Sequence, residues 1–322
     1  MRRRKLAKRK KIITITSICL LLCLSVGYAA FQTNLSITAK GHIKNKQYTV
    51  EDLKELAVTA GDGLYKDAYE EGRFVYKGAN PNNYIIFNNE TWRIISVEND
   101  GSIKILRNEV YGVRAFDSEI LRDGSSNGAG GTYCANGAYG CNAWAVNDNF
   151  VNGSYSGTVL KDAELNTYLN GEYYNGINSD KDKIVNHNFS VGAVTEDNND
   201  LAAQITNENS YKWNGKIGLI TVSEYIRANN NQGTCGTLSL ISSNYNICKS
   251  TEWMHYGDTW WTLSPSASDS EYVYRANNLS GISRSLASNN SFGNIRPALY
   301  LTPNITLNGM GTETNPYIIV EP

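Results

Sequence analysis

Cysteine and histidine are the residues of this chain that could carry out covalent chemistry. The 322 residues include six cysteines and three histidines, and His255 follows Cys235 and Cys248 in the sequence. A histidine that accepts the thiol proton would make either cysteine a nucleophile, as in thiol hydrolases. The opposing interpretation is a half-buried structural histidine beside a disulfide. We therefore expect no catalytic residue here, and an exported cysteine-dependent hydrolase or oxidase is the alternative.

Two local cysteine pairs follow the N-terminal apolar segment, Cys134 with Cys141 and Cys235 with Cys248. An even number of cysteines in an exported domain favours disulfides, and closure within each pair is the simplest of the three possible connectivities. Neither pair has the C-x-x-C spacing of a zinc site. The sequence therefore predicts two disulfides, no bound metal and no cofactor.

The segment WWTLSPSASDSEYVYRANNLSG, residues 260–281, is rich in aromatic side chains. Neighbouring residues of a strand point to opposite faces, so the two tryptophans are expected to separate. The residues expected in the core are Trp261, Leu263, Arg296 and Leu299. Tyrosine and tryptophan offer broad contact area at low entropic cost, so a ligand-binding face is the candidate role of the others. These candidates are Trp260, Tyr272, Tyr274 and Arg275. The alternative is an aromatic face that the protein's own loops cover.

The N-terminus carries an export signal. Residues 1–11 hold eight Arg or Lys and no acid, and residues 12–31 hold no charge. A basic block before such an apolar span is typical of a signal peptide or a single transmembrane anchor, with the basic block in the cytoplasm. Cleavage after Ala29 is compatible with the small residues around it. We expect a single-pass membrane protein with its C-terminal domain outside, or a secreted protein if the signal is cleaved.

The charge of the exported part excludes nucleic acid as a partner. Eight of the 30 basic residues lie in residues 1–11, which leaves 22 basic against 31 acidic residues, a net charge of −9. Nucleic-acid binding depends on cationic contacts with phosphate, which an acidic domain does not provide.

The periodicity of apolar residues predicts an α+β fold with a mainly antiparallel, twisted sheet, two or three helices and long loops. Helices are expected to begin at Thr49, near Leu160 and at Thr221, and capping boxes mark the first and the last of them. Residues 108–157 are irregular and rich in glycine, serine and asparagine. The predicted strands are residues 84–87, 90–97, 102–106, 216–220, 271–276, 282–286 and 295–301.

Two stretches resemble an uncharacterised domain family in exported proteins of Gram-positive bacteria. They are GDGLYKDAYEEGRFVYKGANPNNYIIFNNETWRIISVENDGSIKILRNE, residues 61–109, and the aromatic segment together with NIRPALYL. That family is similar to the C-type-lectin-like fold of formylglycine-generating enzymes and bacterial surface proteins. The chain lacks the Glu-Pro-Asn or Gln-Pro-Asp triplet of calcium-dependent lectins, and it has Trp213-Asn214-Gly215 where they have Trp-Asn-Asp. The resemblance therefore implies the fold but neither calcium-dependent sugar binding nor formylglycine formation.

The resemblance and the export segment together imply a domain order. This order is a cytoplasmic basic segment (1–11), an anchor or signal (12–31), a tether (32–48), a C-type-lectin-like extracellular domain (49–303) and a C-terminal strand or tail (304–322). We expect a surface protein that binds an extracellular ligand (a glycan, cell-wall material or a protein) without catalysis. The alternatives are the cysteine-dependent enzyme and a structural subunit of a surface assembly.

Overall fold

The computed structural model describes residues 46–119, 122, 139–152, 155–196, 199–255, 257–291 and 293–320. The predicted cytoplasmic segment, the anchor or signal, most of the tether and Cys134 lie outside these residues. Within the described part, no helix has both the length and the apolar character that crossing a bilayer demands.

The described strands are mostly short and pair mainly antiparallel, and together with several short helices they give the predicted α+β class. The strands are β1 (Gln47–Tyr48), β2 (Gly63–Lys66), β3 (Phe74–Lys77), β4 (Tyr84–Phe87), β5 (Glu90–Val97), β6 (Ile103–Arg107), β7 (Asn147–Asn152), β8 (Tyr155–Val159), β9 (Ile184–Val185), β10 (His187–Ser190), β11 (Lys212–Gly215), β12 (Ile217–Gly218), β13 (Trp260–Pro265), β14 (Tyr272–Asn277), β15 (Gly281–Leu286), β16 (Ala298–Leu301), β17 (Thr306–Asn308) and β18 (Tyr317–Val320).

The described helices are all nine residues or shorter. They are α1 (Val50–Lys54), α2 (Glu164–Tyr168), α3 (Tyr174–Gly176), α4 (Leu201–Asn209), α5 (Val222–Arg227), α6 (Gln232–Cys235), α7 (Leu238–Ser243) and α8 (Tyr245–Cys248). A π-helical turn, Leu169–Tyr173, joins α2 to α3.

The main sheet has the strand order β1-β17-β18-β4-β5-β6-β16-β12, with β2, β3 and β9 attached beside it. The predicted meander is confirmed, because β4, β5 and β6 pair antiparallel in sequence order. Asn88 and Asn89 join β4 to β5 with φ of 53° and 59°. Positive φ at both central residues is the geometry of a type I′ hairpin turn, which asparagine tolerates well.

Both predicted capping boxes are present. Thr49 caps α1 together with Asp52, and Thr221 caps α5 together with Glu224. The first helix is only five residues long and ends at Lys54, because the chain turns back and the amide of Val58 donates to the carbonyl of Leu64. The helix predicted from Leu160 begins at Glu164, because β8 extends to Val159 and the amide of Leu160 then donates to the carbonyl of Arg122.

The late strands divide between two sheets. Strand β16 lies beside β6 of the meander in the main sheet, whereas β13, β14 and β15 form a separate three-stranded sheet. The segment predicted as a C-terminal strand or tail belongs to the main sheet, because β18 pairs parallel with β4 and antiparallel with β17. The main sheet therefore includes residues on both sides of the predicted domain end at 303.

Buried apolar residues form two large clusters, here called the first core and the second core. Alternate residues of the central strands enter different cores: Ile94 and Ile105 the first, Leu106 and Ala298 the second. The three-stranded sheet is also buried on both faces, because Trp261 enters the first core and Trp260 the second. Alternation thus separates the two tryptophans as predicted.

Candidate functional site

Two of the four candidate ligand-binding residues lie in the protein interior. Trp260 is 0% exposed and Tyr274 is 3% exposed, and both belong to the second core. The ring of Trp260 lies 6.3 Å from the ring of Tyr225 on α5, and the guanidinium of Arg296 lies 4.8 Å from its centroid. These contacts cover the aromatic face from within the protein, which corrects the expectation of an exposed rim at these two positions.

The other two candidates are partly buried and lie on opposite faces of β14. Tyr272 and Arg275 are three residues apart in an extended strand, so their side chains leave opposite faces. The guanidinium of Arg284 lies 5.0 Å from the centroid of Tyr272. Nε and Nη1 of Arg275 are buried without a hydrogen-bond partner in the described chain. A ligand contact by either residue stays a prediction, but one small ligand on one face would not reach both.

The predicted cysteine pair nearest His255 is oxidised. Cys235 and Cys248 form a disulfide with a Cα–Cα distance of 5.6 Å, which links α6 to α8. Cys141 is also disulfide-bonded, and its predicted partner Cys134 lies outside the described residues. The ring of His255 packs edge-on against Tyr245 at 5.9 Å, and burial followed by the charge of Lys249 lowers its pKa. A sulfur in a disulfide has no thiolate with which to attack a substrate.

A polar cavity of about 260 Å³ lies where residues 67–104 meet the second half of the chain. Strands β6, β10, β11 and β16 contribute to its wall, together with the start of α5 and the end of α4. Its volume suits a small molecule or one chemical group of a larger one. The residues that line it are Glu70, Arg73, Glu98, Lys104, His187, Asn188, Ser190, Asn209, Lys212, Thr221, Ser223, Glu224, Arg227 and Tyr300.

Arg73 is the centre of a buried ion network in the cavity wall. Its Nε donates to both oxygens of Glu98 at 3.1 and 3.0 Å, and its Nη1 donates to Asp67 at 2.9 Å and to Glu70 at 3.1 Å. Its Nη2 donates to Glu224 at 3.2 Å. Only 5% of the side chain is exposed, so these charge-assisted bonds form away from water and hold four carboxylates in fixed places.

Glu224 joins this network to a helix start. Its Oε2 accepts from the amide of Thr221 at 2.9 Å in the capping box, and both of its oxygens accept from Nζ of Lys104 at 2.7 and 2.8 Å. Lys104 is 2% exposed, and its Nζ also lies 5.2 Å from the ring of Phe189 and 5.1 Å from that of Tyr300. The glutamate of the α5 capping box is therefore also the counterion of a buried lysine.

The electrostatic environment keeps the network ionised. Burial alone would raise the pKa of Glu70, but Arg227 and Arg73 outweigh burial and lower that pKa to about 2. Burial would likewise raise the pKa of Glu224, and Lys104 and Arg73 reverse this and lower it. Carboxylates held in ion pairs at low pKa are poor proton donors and acceptors at neutral pH. Glu70 and Glu224 therefore stay charged at neutral pH.

In the outer part of the cavity, fewer side chains form ion pairs than in the network around Arg73. Nζ of Lys212 donates to Oγ of Ser190 at 2.7 Å and to Oδ1 of Asn209 at 2.6 Å. The ring of His187 stacks on Tyr300 with centroids 3.7 Å apart, and its Nε2 lies 3.4 Å from Asp100. Burial and then the nearby carboxylates raise the pKa of Tyr300, so its hydroxyl stays protonated at neutral pH.

The sequence contained one signal for this cavity, the capping box at Thr221 and Glu224. Arg73 and Lys104 gave no signal, because a charged residue next to or within an alternating strand is ordinarily assigned to the solvent face. Within the described residues, no group of three or more histidine, cysteine or acidic side chains is arranged to hold a metal ion.

Comparisons with known proteins identify one region of the chain. Residues 142–303 match a family whose description is "Domain of unknown function (DUF6273)". Neither the curated proteins nor the solved structures include a match to this chain. The matched region contains α4, α5, β10, β11 and β16, which supply more than half of the cavity wall, whereas Glu70, Arg73, Glu98 and Lys104 precede it.

Proposed function

The chain belongs to the DUF6273 family, whose function is unknown, and from this premise we propose that the protein is a non-catalytic ligand-binding domain on a bacterial surface. In this proposal the basic and apolar segments at residues 1–31 anchor or export the chain, and the domain acts outside the membrane. The proposal includes the Gram-positive origin and the C-type-lectin-like relationship that the sequence resemblance implies.

The observation that carries the proposal is the polar cavity. An ion network with little access to water is costly to build, because each charge loses hydration that its partners must replace. Here the network fixes a set of donors and acceptors around an accessible space of about 260 Å³. A preorganised polar site of this kind favours binding, since its groups need little rearrangement when a ligand enters.

The chemistry of the cysteines supports binding over the cysteine-dependent alternative. Cys235 and Cys248 are joined in a disulfide, and His255 contacts Tyr245. A disulfide is also the state that an oxidising, extracytoplasmic environment favours. Nucleophilic catalysis by either cysteine would first require reduction of this disulfide to release a thiolate.

The proposal is tested with the full-length protein against a panel of neutral and acidic glycans and purified Gram-positive cell walls. Three proteins are compared: the wild type, Lys212→Met at the cavity and Lys249→Met at the exposed residue that follows α8. We expect at least one component to bind the wild type and Lys249→Met with equal affinity. The same component should bind Lys212→Met with an affinity at least about tenfold lower.

Two outcomes contradict this function. One is that no component of the panel binds the wild type, which would favour a structural subunit of a surface assembly. The other is that a component binds and Lys212→Met leaves its affinity unchanged, which would place recognition elsewhere on the domain.

A further inference from the structure

The carboxylates of the cavity have their hydrogen-bonding capacity largely used. Glu98 accepts from Arg73 and from the hydroxyl of Ser96, and Glu224 accepts from Lys104, Arg73 and Thr221. Glu70 accepts from Arg73 through Oε2 at 3.1 Å and from Arg227 through the same atom at 2.5 Å. A cationic ligand group would have to displace one of these charge-assisted bonds, which are roughly twice as strong as neutral ones.

Some hydrogen-bond donors of the cavity, in contrast, have no acceptor. Arg227 is 4% exposed, and its Nε is buried with no hydrogen-bond partner in the described part of the chain. Nδ1 of His187 is also buried without a partner in the described chain, but it is a donor only when that nitrogen carries the ring proton, so it is not counted among the unfilled donors. Buried polar groups nearly always have a partner, so this guanidinium N–H needs an acceptor, a ligand group or an ordered water, that the described chain does not supply.

Lys212 adds a charge at the rim whose partners are neutral. Its ammonium donates to the Ser190 hydroxyl and the Asn209 amide oxygen, and it forms no ion pair with any described carboxylate. An ammonium has three N–H donors, and two of them are used by these bonds. Burial lowers the pKa of Lys212, and the nearby Glu70 opposes this effect. An anion beside Lys212 would favour its charged form and take the remaining donor.

The formal charges in and around the cavity nearly cancel. The lining residues include four cations (Arg73, Lys104, Lys212 and Arg227) and three anions (Glu70, Glu98 and Glu224), a difference of +1. Asp67 lies behind the wall, where it accepts from Nη1 of Arg227 at 2.7 Å and balances that charge. The net field is therefore small, and the unfilled donors, rather than net charge, select the ligand.

We infer that the ligand of this cavity presents an oxyanion, a carboxylate or a phosphate group, to Lys212 and the buried Nε of Arg227. The inference depends on the function proposed above and specifies the chemical class of its ligand. Tyr300 and His187 lie in the same wall, and the tyrosine hydroxyl is a further donor.

The experiment follows amide and side-chain NMR signals of the full-length protein during titration with four probes: glucuronate, glucose, acetate and inorganic phosphate. We expect glucuronate, phosphate or both to shift the Lys212 and Arg227 signals saturably, and glucose to have no effect. Comparing the titrations with glucuronate and acetate with the titration with phosphate distinguishes a carboxylate ligand from a phosphate ligand.

Variants at the rim test the assignment without disturbing the buried network. We expect Lys212→Gln to weaken oxyanion binding about tenfold or more, the loss of one charge-assisted bond. Lys212→Arg keeps the charge and is expected to retain most of the affinity, while Lys249→Gln is the control with unchanged affinity. Raising the salt concentration should weaken binding to the wild type more than to Lys212→Gln.

The outcomes separate this inference from the proposed function. If glucose or another neutral glycan binds at Lys212 and no oxyanion does, the function stands and the oxyanion assignment is overturned. If none of the probes and no member of the glycan and cell-wall panel binds, ordered water alone fills the donors and both conclusions fall. Equal oxyanion affinity of the wild type and Lys212→Gln also overturns the assignment.

Discussion

At the scale of single residues, the buried and partly buried carboxyl groups of the protein fall into two classes by the direction of their pKa shift. Glu70 and Glu224 are surrounded by arginine and lysine, and their pKa values are lowered. Glu208 and Glu252 have no comparable cationic partner, and burial raises their pKa values. Glu252 is 4% exposed and keeps Oε1 without a hydrogen bond in the described chain. Only the first pair lines the cavity, so ionisation is maintained at the candidate site.

Glu70 gives a prediction about acid stability. Its pKa is about 2 in the folded protein against an ordinary 4.5, so its stabilising contribution is complete above pH 4.5 and is lost as the pH falls toward 2. The side chain is 34% exposed, so we expect Glu70→Gln to lower the free energy of unfolding at pH 7 by only about 1 kcal/mol. Urea unfolding at pH 7 and pH 3 measures this.

The control for Glu70 is its exposed neighbour, Glu71→Gln. The difference in the free energy of unfolding between the wild type and Glu70→Gln should be smaller at pH 3. At that pH the carboxyl group of Glu70 is mostly protonated in the unfolded state, so folding must release its proton, and this cost offsets part of the stabilisation. A Glu70→Gln protein as stable as Glu71→Gln at pH 7 would show that the ion network contributes nothing through this residue.

At the scale of elements, short helices in this protein depend on their caps. Helix α5 has six residues, too few for stable helix formation without capping and packing. It lies against β13 and β14 and supplies one wall of the cavity, so its position matters for the site. Its cap, Thr221, is 3% exposed, whereas Thr49, which caps α1 with the same hydrogen-bond pattern, is exposed.

The two capping boxes form a matched pair for mutation. We expect Thr221→Ala to lower the free energy of unfolding by about 2 kcal/mol and Thr49→Ala by about 0.5 kcal/mol, because only the buried cap leaves a donor out of reach of water. Thr221→Ser keeps the accepting oxygen and should recover most of the loss. Chemical denaturation of the three variants checks the order, and equal losses at the two caps would contradict it.

At the scale of the whole molecule, the main sheet is assembled from segments far apart in the sequence. Strand β4 lies between β5, its neighbour in the chain, and β18 near residue 320. Leu307 of β17 is 1% exposed and Tyr317 of β18 is 2% exposed, both in the first core. The chain beyond residue 303 therefore contributes to the core and closes the edge beside β4.

This arrangement predicts that a protein ending at residue 303 folds poorly. Truncation removes the buried Leu307 and Tyr317, each worth about 1.5–3 kcal/mol of burial, and leaves β4 as an open edge. We expect aggregation or a much lower melting temperature for this protein. A truncation after Val320 is the control and should melt like the full chain. A soluble 303-residue protein with an unchanged melting temperature would show that 49–303 is an independent domain.

Local sequence patterns determined much of the secondary structure, and longer-range packing determined the site. The meander, the two capping boxes and the Cys235–Cys248 pair could be predicted because each depends on residues within about fifteen positions of one another. The exposure of Trp260 and Tyr274 could not, because a sheet with an aromatic face has the same alternation whether solvent or α5 lies over it.

The cavity was decided by tertiary structure alone. Arg73 and Glu224 are 151 positions apart, and Lys104 and Glu224 are 120 apart, yet each pair is in hydrogen-bond contact. The sequence shows which residues in or beside strands are charged. Whether these residues contact water or one another depends on which strands the folded sheet brings together. Chain order sets short-range geometry through backbone sterics and hydrogen bonding, whereas burial of charge depends on the full set of contacts.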